Sequence, residues 1–165
     1  MAFQSAPIVT RDAVDRLTAE QSGDLRSLVR SEGRERASLL IVEDEALVAL
    51  SMAEMLTAAG YEVLGTVASG RAALEAVAKQ VPDLILMDIT LRGPMDGIET
   101  AQALRAIATV PILYVTAYSE GAIMDRAQAT GPAGYLRKPF YGQQLEQAVA
   151  AALTVQGANR VEANC

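Results

Sequence analysis

The chain has 165 residues, of which 51% are hydrophobic, and this favours one compact soluble α/β domain with tails over a disordered chain. Its formal net charge is −6, which argues against a nucleic-acid-binding surface, because phosphate backbones require a basic face. The sequence contains no histidine, which excludes a serine–histidine triad, a histidine-ligated zinc site and a phosphohistidine within this chain.

Residues 1–37 form an N-terminal extension that is rich in arginines and acids and contains few apolar residues. This pattern predicts one or two short amphipathic helices or a solvated, disordered segment. The first residues lack the basic region and the apolar run of a signal peptide, and no apolar stretch approaches the ~18 residues of a membrane span. Cys165 is the only cysteine, so a disulfide framework is excluded. We therefore expect a cytoplasmic protein without a membrane partner.

From Ser38 onward, short apolar runs alternate with Ala-rich amphipathic stretches, which predicts strands alternating with helices. The predicted strands are Leu39–Val42, Val63–Val67, Leu84–Met87, Ile112–Val115 and Tyr135–Leu136. The predicted helices are Ala46–Ala59, Arg71–Gln80, Gly97–Ala106, Glu120–Thr130 and Gln143–Leu153. Gly60 is expected to end the first helix and Ser69 to cap the second.

This alternation predicts an α/β fold, a doubly wound five-stranded parallel sheet with helices on both faces. The strand order is expected to be the flavodoxin-like 2-1-3-4-5. Residues 38–153 are predicted to form the folded domain, and residues 154–165 a polar C-terminal tail.

Acidic, hydroxyl and amine side chains follow four of the predicted strands. They are Glu43 and Asp44 after the first strand, Asp88 after the third, Thr116 after the fourth and Lys138 after the fifth. The carboxyl ends of parallel strands meet at one edge, so in this strand order the three acids would crowd one crevice and repel each other. A divalent cation with oxygen ligands, such as Mg²⁺, would relieve that repulsion. Together with Lys138 it would suit a phosphoryl group approaching a carboxylate.

Each of these residues also has a purely structural explanation. An acid pair after a strand is often part of a solvated loop or a helix N-cap, and Asp88 alone could be an N-cap. Thr116 alone is most often a turn hydroxyl, and Lys138 with Pro139 is most often a surface turn. The prediction of a phosphoryl site therefore depends on their occurring together at the ends of successive strands.

The stretch Ser38–Leu153 resembles a bacterial response-regulator receiver domain. The motifs that carry the resemblance are LLIVEDEALV, LILMDITL, MDGIE, ILYVTAY and GYLRKPF. The resemblance implies that Asp88 is the phosphoacceptor and a metal ligand, and that Glu43 and Asp44 hold Mg²⁺ with the backbone carbonyl of Thr90. Two departures stand out: Glu43 replaces the commoner Asp, and the loop ITLRGPMDG is one residue longer than usual.

The resemblance also assigns the remaining site residues. It implies that Lys138 contacts the phosphoryl group, that the Thr116 hydroxyl moves to meet a phosphoryl oxygen, and that Tyr135 is the aromatic switch that turns inward in response. The residues expected to modulate the site or the phosphoryl lifetime are Thr90, Tyr118 and Pro139, the last because it matches a proline that often follows a cis peptide bond.

As a receiver, the chain would be a signalling switch rather than an enzyme. A sensor histidine kinase or a histidine phosphotransfer protein would phosphorylate Asp88, which would change the face of helix four, strand five and helix five for an unknown downstream protein. Little sequence follows the last predicted helix, which favours a stand-alone receiver in a two-component system or phosphorelay. A receiver fragment of a hybrid kinase is the alternative within this class.

Two other classes share parts of the pattern. A haloacid-dehalogenase-type phosphatase also uses an aspartate nucleophile, but it needs a second acid two residues later, where this chain has Thr90. A flavodoxin-like electron carrier needs a phosphate-cradling loop after the first strand, and the acids Glu43, Asp44 and Glu45 would repel a flavin phosphate there.

Overall fold

The computed structural model describes residues 36–162, which form five strands and five helices in strict alternation. The strands are β1 (Ser38–Val42), β2 (Glu62–Val67), β3 (Leu84–Asp88), β4 (Ile112–Thr116) and β5 (Gly134–Arg137). The helices are α1 (Ala46–Ala58), α2 (Gly70–Lys79), α3 (Gly97–Arg105), α4 (Ala122–Ala129) and α5 (Gly142–Glu162). The extension predicted over residues 1–37 lies, but for its last two residues, outside the described residues.

The strands form one parallel sheet in the order β2-β1-β3-β4-β5, as predicted. The chain moves outward in one direction from β1 to β2 and then crosses back to β3 on the other side of β1. The strand order therefore reverses between β1 and β3. In open α/β sheets the carboxyl ends of strands at such a reversal form a crevice, and this crevice opens beyond Val42 and Asp88.

The core lies on both faces of the sheet, because successive strand residues point in opposite directions. Leu40 and Val42 of β1 pack with α2, α3 and α4 on one face, whereas Leu39 and Ile41 pack with α1 and α5 on the other. Strands β1, β3 and β4 are buried along their whole length. Burial on both faces explains why these strands read as continuous apolar runs rather than alternating ones.

The predicted helix boundaries have clear physical causes. The backbone of Gly60, just after α1, has φ +92°, a left-handed conformation that favours glycine. The Ser69 hydroxyl accepts a hydrogen bond from the Ala72 N–H at 3.3 Å and caps α2. Both predicted caps are confirmed.

Helix α5 differs from its prediction, because it continues past Leu153 to Glu162. The predicted polar tail over residues 154–165 therefore begins as helix. Extending an established helix costs little per residue, so residues 154–162 continue it although they show no apolar periodicity. Within the described residues, no helix combines the length and the apolar character of a membrane-spanning segment.

Candidate functional site

Three carboxylates converge where β1 and β3 end. Glu43 and Asp44 directly follow β1, and Asp88 is the last residue of β3. One carboxylate oxygen from each residue lies within 4.8 Å of those from the other two. Glu43 and Asp88 are buried and Asp44 is half-buried. Negative charges this close and this poorly hydrated repel each other strongly, so the cluster requires a positive partner.

Lys138, directly after β5, supplies one such partner. Its ammonium donates hydrogen bonds to Glu43 Oε2 at 2.7 Å and to Asp88 Oδ2 at 2.9 Å. Its backbone N–H donates to the Thr116 carbonyl at 2.8 Å, and the peptide bond to Pro139 is cis. Burial acts to lower the pKa of Lys138, but the hydrogen bonds to Glu43 and Asp88 and their negative charges together outweigh it and raise that pKa above its ordinary value. The ammonium therefore stays charged.

The surroundings of Glu43 disfavour its charged form. Burial raises the pKa of Glu43 above its ordinary value, and the hydrogen bond from Lys138 opposes that shift without cancelling it. The negative charge of Asp88 raises the pKa of Glu43 further. Lys138 and the exposed Arg92, whose Nε lies 3.0 Å from Asp44 Oδ2, bring two positive charges to three carboxylates, so the cluster favours a further cation.

The residues present fit a divalent cation of the Mg²⁺ type. Hard cations prefer oxygen ligands, and the three clustered acids offer carboxylate oxygens within reach of one ion. Thr90 lies two residues after Asp88 and lines the same cleft. Its N–H donates to Asp88 Oδ1 at 2.9 Å, which fixes the orientation of that carboxylate.

A cleft of about 320 Å³ opens onto the acids. Its lining consists of Asp44, Glu45, Asp88, Thr90, Arg92, Ala117, Tyr118 and Lys138. This volume admits a phosphoryl group, and Asp88 and Lys138 both face it. A carboxylate nucleophile beside an ammonium is an arrangement suited to forming an acyl phosphate.

The predicted switch residues, Thr116 and Tyr135, are not part of the cleft lining. Thr116 is buried at the end of β4, where its hydroxyl oxygen accepts the Tyr118 N–H at 3.0 Å. Tyr135 in β5 is half-buried, and its hydroxyl donates to Gln128 Oε1 on α4 at 3.1 Å. The Tyr135 ring stacks on the buried ring of Tyr114, with the centroids 5.8 Å apart.

Sequence reasoning missed Arg92. Its guanidinium Nε lies 3.0 Å from Asp44 Oδ2, and its side chain lines the cleft. The available signal was a basic residue within ITLRGPMDG, the loop that is longer than usual. A loop residue belongs to no periodic pattern, so this signal does not indicate where the Arg92 side chain lies.

Comparison with known proteins establishes the family. Residues 39–150 match the family described as the response regulator receiver domain. This chain belongs to that family. The resemblance and the fold predicted from the sequence are thereby confirmed, and receiver domains of response regulators act as phosphoacceptor switches in two-component signalling. The roles assigned to individual residues stay predictions.

Several curated response regulators are similar to this receiver domain. The transcriptional regulatory protein PdtaR of Mycobacterium tuberculosis is 37% identical over 116 residues, which cover 70% of this chain and 56% of that protein. The DNA-binding response regulator MtrA of the same organism is 34% identical over 118 residues, covering 72% and 51%. The receiver chain thus spans about half the length of the curated relatives it matches.

Solved receiver domains share the same architecture. The signal receiver domain of a modulated diguanylate cyclase from Desulfovibrio desulfuricans superposes with a TM-score of 0.71 at 34% identity, covering 76% of this chain and 99% of that one. The chemotaxis protein CheY4 of Vibrio cholerae gives a TM-score of 0.66 at 31% identity, covering 71% and 98%.

Proposed function

We propose that this receiver is a phosphoacceptor switch in which Asp88 takes a phosphoryl group from a sensor histidine kinase or a histidine phosphotransfer protein. The observation that carries the proposal is the shared contact of Lys138 with Asp88 and Glu43, at 2.9 and 2.7 Å. Asp88 is buried, accepts a hydrogen bond from this ammonium and lines a cleft wide enough for a phosphoryl group. An ionised carboxylate is the nucleophile that the reaction requires.

The transfer itself is a simple displacement. An Asp88 carboxylate oxygen forms a bond to phosphorus while the phosphorus–nitrogen bond to the donor's histidine breaks, and the released imidazole takes up a proton. Mg²⁺ held by Glu43, Asp44, Asp88 and the Thr90 carbonyl would neutralise charge on the phosphoryl oxygens. The Lys138 ammonium does so from the side of β5, and the Thr90 N–H orients Asp88.

The switch follows from the charge of the product. An aspartyl phosphate carries about −1.5 to −2 charges and three acceptor oxygens, which attract nearby donors. The Thr116 hydroxyl is such a donor, and in moving it would draw the loop after β4 inward. Tyr135 would then turn toward the space that Thr116 leaves. These movements alter the α4–β5–α5 face, the surface we assign to the downstream partner.

We further propose that the downstream partner is a protein and that the domain acts in the cytoplasm. The net charge of −6 disfavours direct contact of this domain with nucleic acid. DNA binding is named for MtrA, of which this chain spans about half. The phosphatase alternative is not favoured, because Thr90 stands where that enzyme class needs its second acid.

Replacing Asp88 tests the proposal directly. Asp88→Asn removes the nucleophilic carboxylate, so acetyl phosphate with Mg²⁺ should no longer add a phosphoryl group, as measured by intact-protein mass spectrometry. Asp125→Asn is the matched control, since Asp125 is an exposed acid on α4 outside the cleft, and it should be labelled like the wild type. Stoichiometric labelling of the Asp88→Asn protein would refute the assignment.

A further inference from the structure

Arg92 brings a second positive charge to the cleft, from the loop after β3, whereas Lys138 follows β5. It lies in the loop of residues 89–96 between β3 and α3, where Gly93 adopts φ +128° and lets the longer loop turn. The Arg92 Nε lies 3.0 Å from Asp44 Oδ2. The Arg92 side chain is 88% exposed and that of Asp44 only 10%, so the acid anchors a guanidinium that stays open to solvent.

The two cations of the cleft are engaged differently. The Lys138 ammonium already donates to two buried carboxylates, Glu43 and Asp88. The Arg92 ion pair uses Nε, and the terminal amino groups of a guanidinium are further donors in a planar fork that matches phosphate oxygens. Arg92 therefore has donor capacity for an incoming anion, whereas Lys138 is already committed to the carboxylates.

The acids that line the cleft oppose the approach of an anion, so the positive charge of Arg92 matters for binding a phosphodonor. Asp44, Glu45 and Asp88 repel any anionic phosphodonor that approaches, and Arg92 and Lys138 are the cations of the same lining. A doubly charged donor is repelled more by the acids and attracted more by the cations than a singly charged one. Removing one cation should therefore affect the doubly charged donor most.

We infer that Arg92 is a specificity-determining residue that attracts and orients doubly charged phosphodonors at the rim of the cleft. The inference rests on the proposed function, because it concerns donors to Asp88. Asp44 positions Arg92, and Arg92 in turn contacts the donor's phosphoryl oxygens before transfer. An exposed arginine–carboxylate pair contributes little to the stability of a fold, so stability alone does not account for this contact.

The test compares two small phosphodonors, acetyl phosphate, which is doubly charged at neutral pH, and phosphoramidate, which is singly charged. Labelling rates are measured for the wild type, Arg92→Ala and Arg92→Lys. The matched control is Arg71→Ala, because Arg71 on α2 is 86% exposed, pairs with Glu75 through Nε at 3.2 Å and does not line the cleft. Calorimetric titration first gives the Mg²⁺ affinity of each variant, so that all rates are compared at saturating Mg²⁺.

Arg92→Ala should lower the labelling rate with acetyl phosphate by about threefold to tenfold at low salt, and that loss should shrink as salt screens the charge. The loss with phosphoramidate should be smaller, Arg92→Lys should recover most of the rate, and Arg71→Ala should match the wild type. Equal losses with both donors, or none, would overturn the role of Arg92 while leaving the proposed function intact. Failure of the wild type to accept either donor would instead overturn the proposed function, and this inference with it.

Discussion

Gly97, the first residue of α3, lies against the backbone of the proposed phosphoacceptor. A β-carbon at this position would overlap the Asp88 carbonyl oxygen and lie 2.8 Å from the Asp88 carbonyl carbon and 2.9 Å from the Ile89 α-carbon. These are backbone atoms, so they can yield only if the end of β3 and its loop shift together. The Gly97 N–H also donates to the Ile89 carbonyl at 2.9 Å, which holds the two segments together.

Gly97→Ala should therefore destabilise the fold and displace Asp88. We expect a loss of about 3 kcal/mol in the free energy of unfolding, measured by urea denaturation, because added volume in a closely packed place forces backbone movement. Gly65→Ala is the matched control, since no atom lies within 4 Å of a β-carbon there, and its effect should stay within about 0.5 kcal/mol. Equal stabilities for the two variants would show that the loop tolerates the methyl group.

At this scale the sequence predicted the acids and the lysine of the site but not how they are paired. Glu43, Asp88 and Lys138 each follow or end an apolar run, so their position at one sheet edge follows from strand order alone. The contact of Arg92 with Asp44 depends on the conformation of an irregular loop, which periodicity does not describe. The stack of Tyr114 on Tyr135 was missed for another reason: in the sequence, a buried tyrosine within a strand looks like any other apolar residue.

Helix α4 and strands β4 and β5 are joined through two tyrosines. Tyr114 and Tyr135 are register partners in the parallel pair and stack on each other. The hydroxyl of Thr130, just after α4, donates to the Ala127 carbonyl at 2.7 Å, so the Tyr114 hydroxyl, 3.0 Å from it, is the donor to Thr130 Oγ1. Both tyrosine hydroxyls thus bond to residues at or just after the end of α4.

Two substitutions at Tyr114 should distinguish the contribution of its hydroxyl to stability from the contribution of its ring. Tyr114→Phe removes the hydrogen bond to Thr130 but keeps the ring stack and the hydrogen bond from Thr130 to Ala127. It should therefore cost about 1 kcal/mol in the free energy of unfolding. Tyr114→Leu loses the stack and leaves a cavity, and should cost about 3 kcal/mol. Tyr141→Leu is the control, because Tyr141 is exposed, and it should be near neutral in the same urea titration. A Leu variant as stable as the Phe variant would contradict the importance of the ring.

The elements themselves were predicted to within about two residues at nearly every boundary, because strand and helix periodicities differ and Gly60 and Ser69 mark helix ends. The exception is α5, whose last turns carry Gly157 and polar residues. The sequence of such a stretch does not predict a helix, although a helix that has already formed extends through it readily.

On the scale of the whole molecule, a sheet covered on both faces leaves its carboxyl edge as the place where charged groups gather. The strands that carry Glu43 and Asp88 are neighbours with fully buried interiors, so the acids have little freedom to separate. Binding a cation to this edge favours the folded state, since unfolding would scatter the ligands.

Mg²⁺ should therefore stabilise the folded domain. At ten times its dissociation constant we expect a gain of about 1.4 kcal/mol and a rise of several degrees in Tm, reversed by a chelator. Sodium chloride at matched ionic strength is the first control, and Asp44→Asn, which removes one carboxylate ligand, is the second. A similar rise with sodium chloride, or an undiminished rise in Asp44→Asn, would place the effect outside the acid cluster.

Lys138 lies 50 residues along the chain from Asp88 and 95 from Glu43, yet its ammonium touches both carboxylates. Contacts between such distant segments form only once the intervening chain has been ordered. During synthesis the carboxylates emerge long before the lysine that complements them. A nascent chain that lacks β5 would therefore lack a complete acid–lysine site, and the proposed phosphoryl transfer would become possible only once the final strand has joined the sheet.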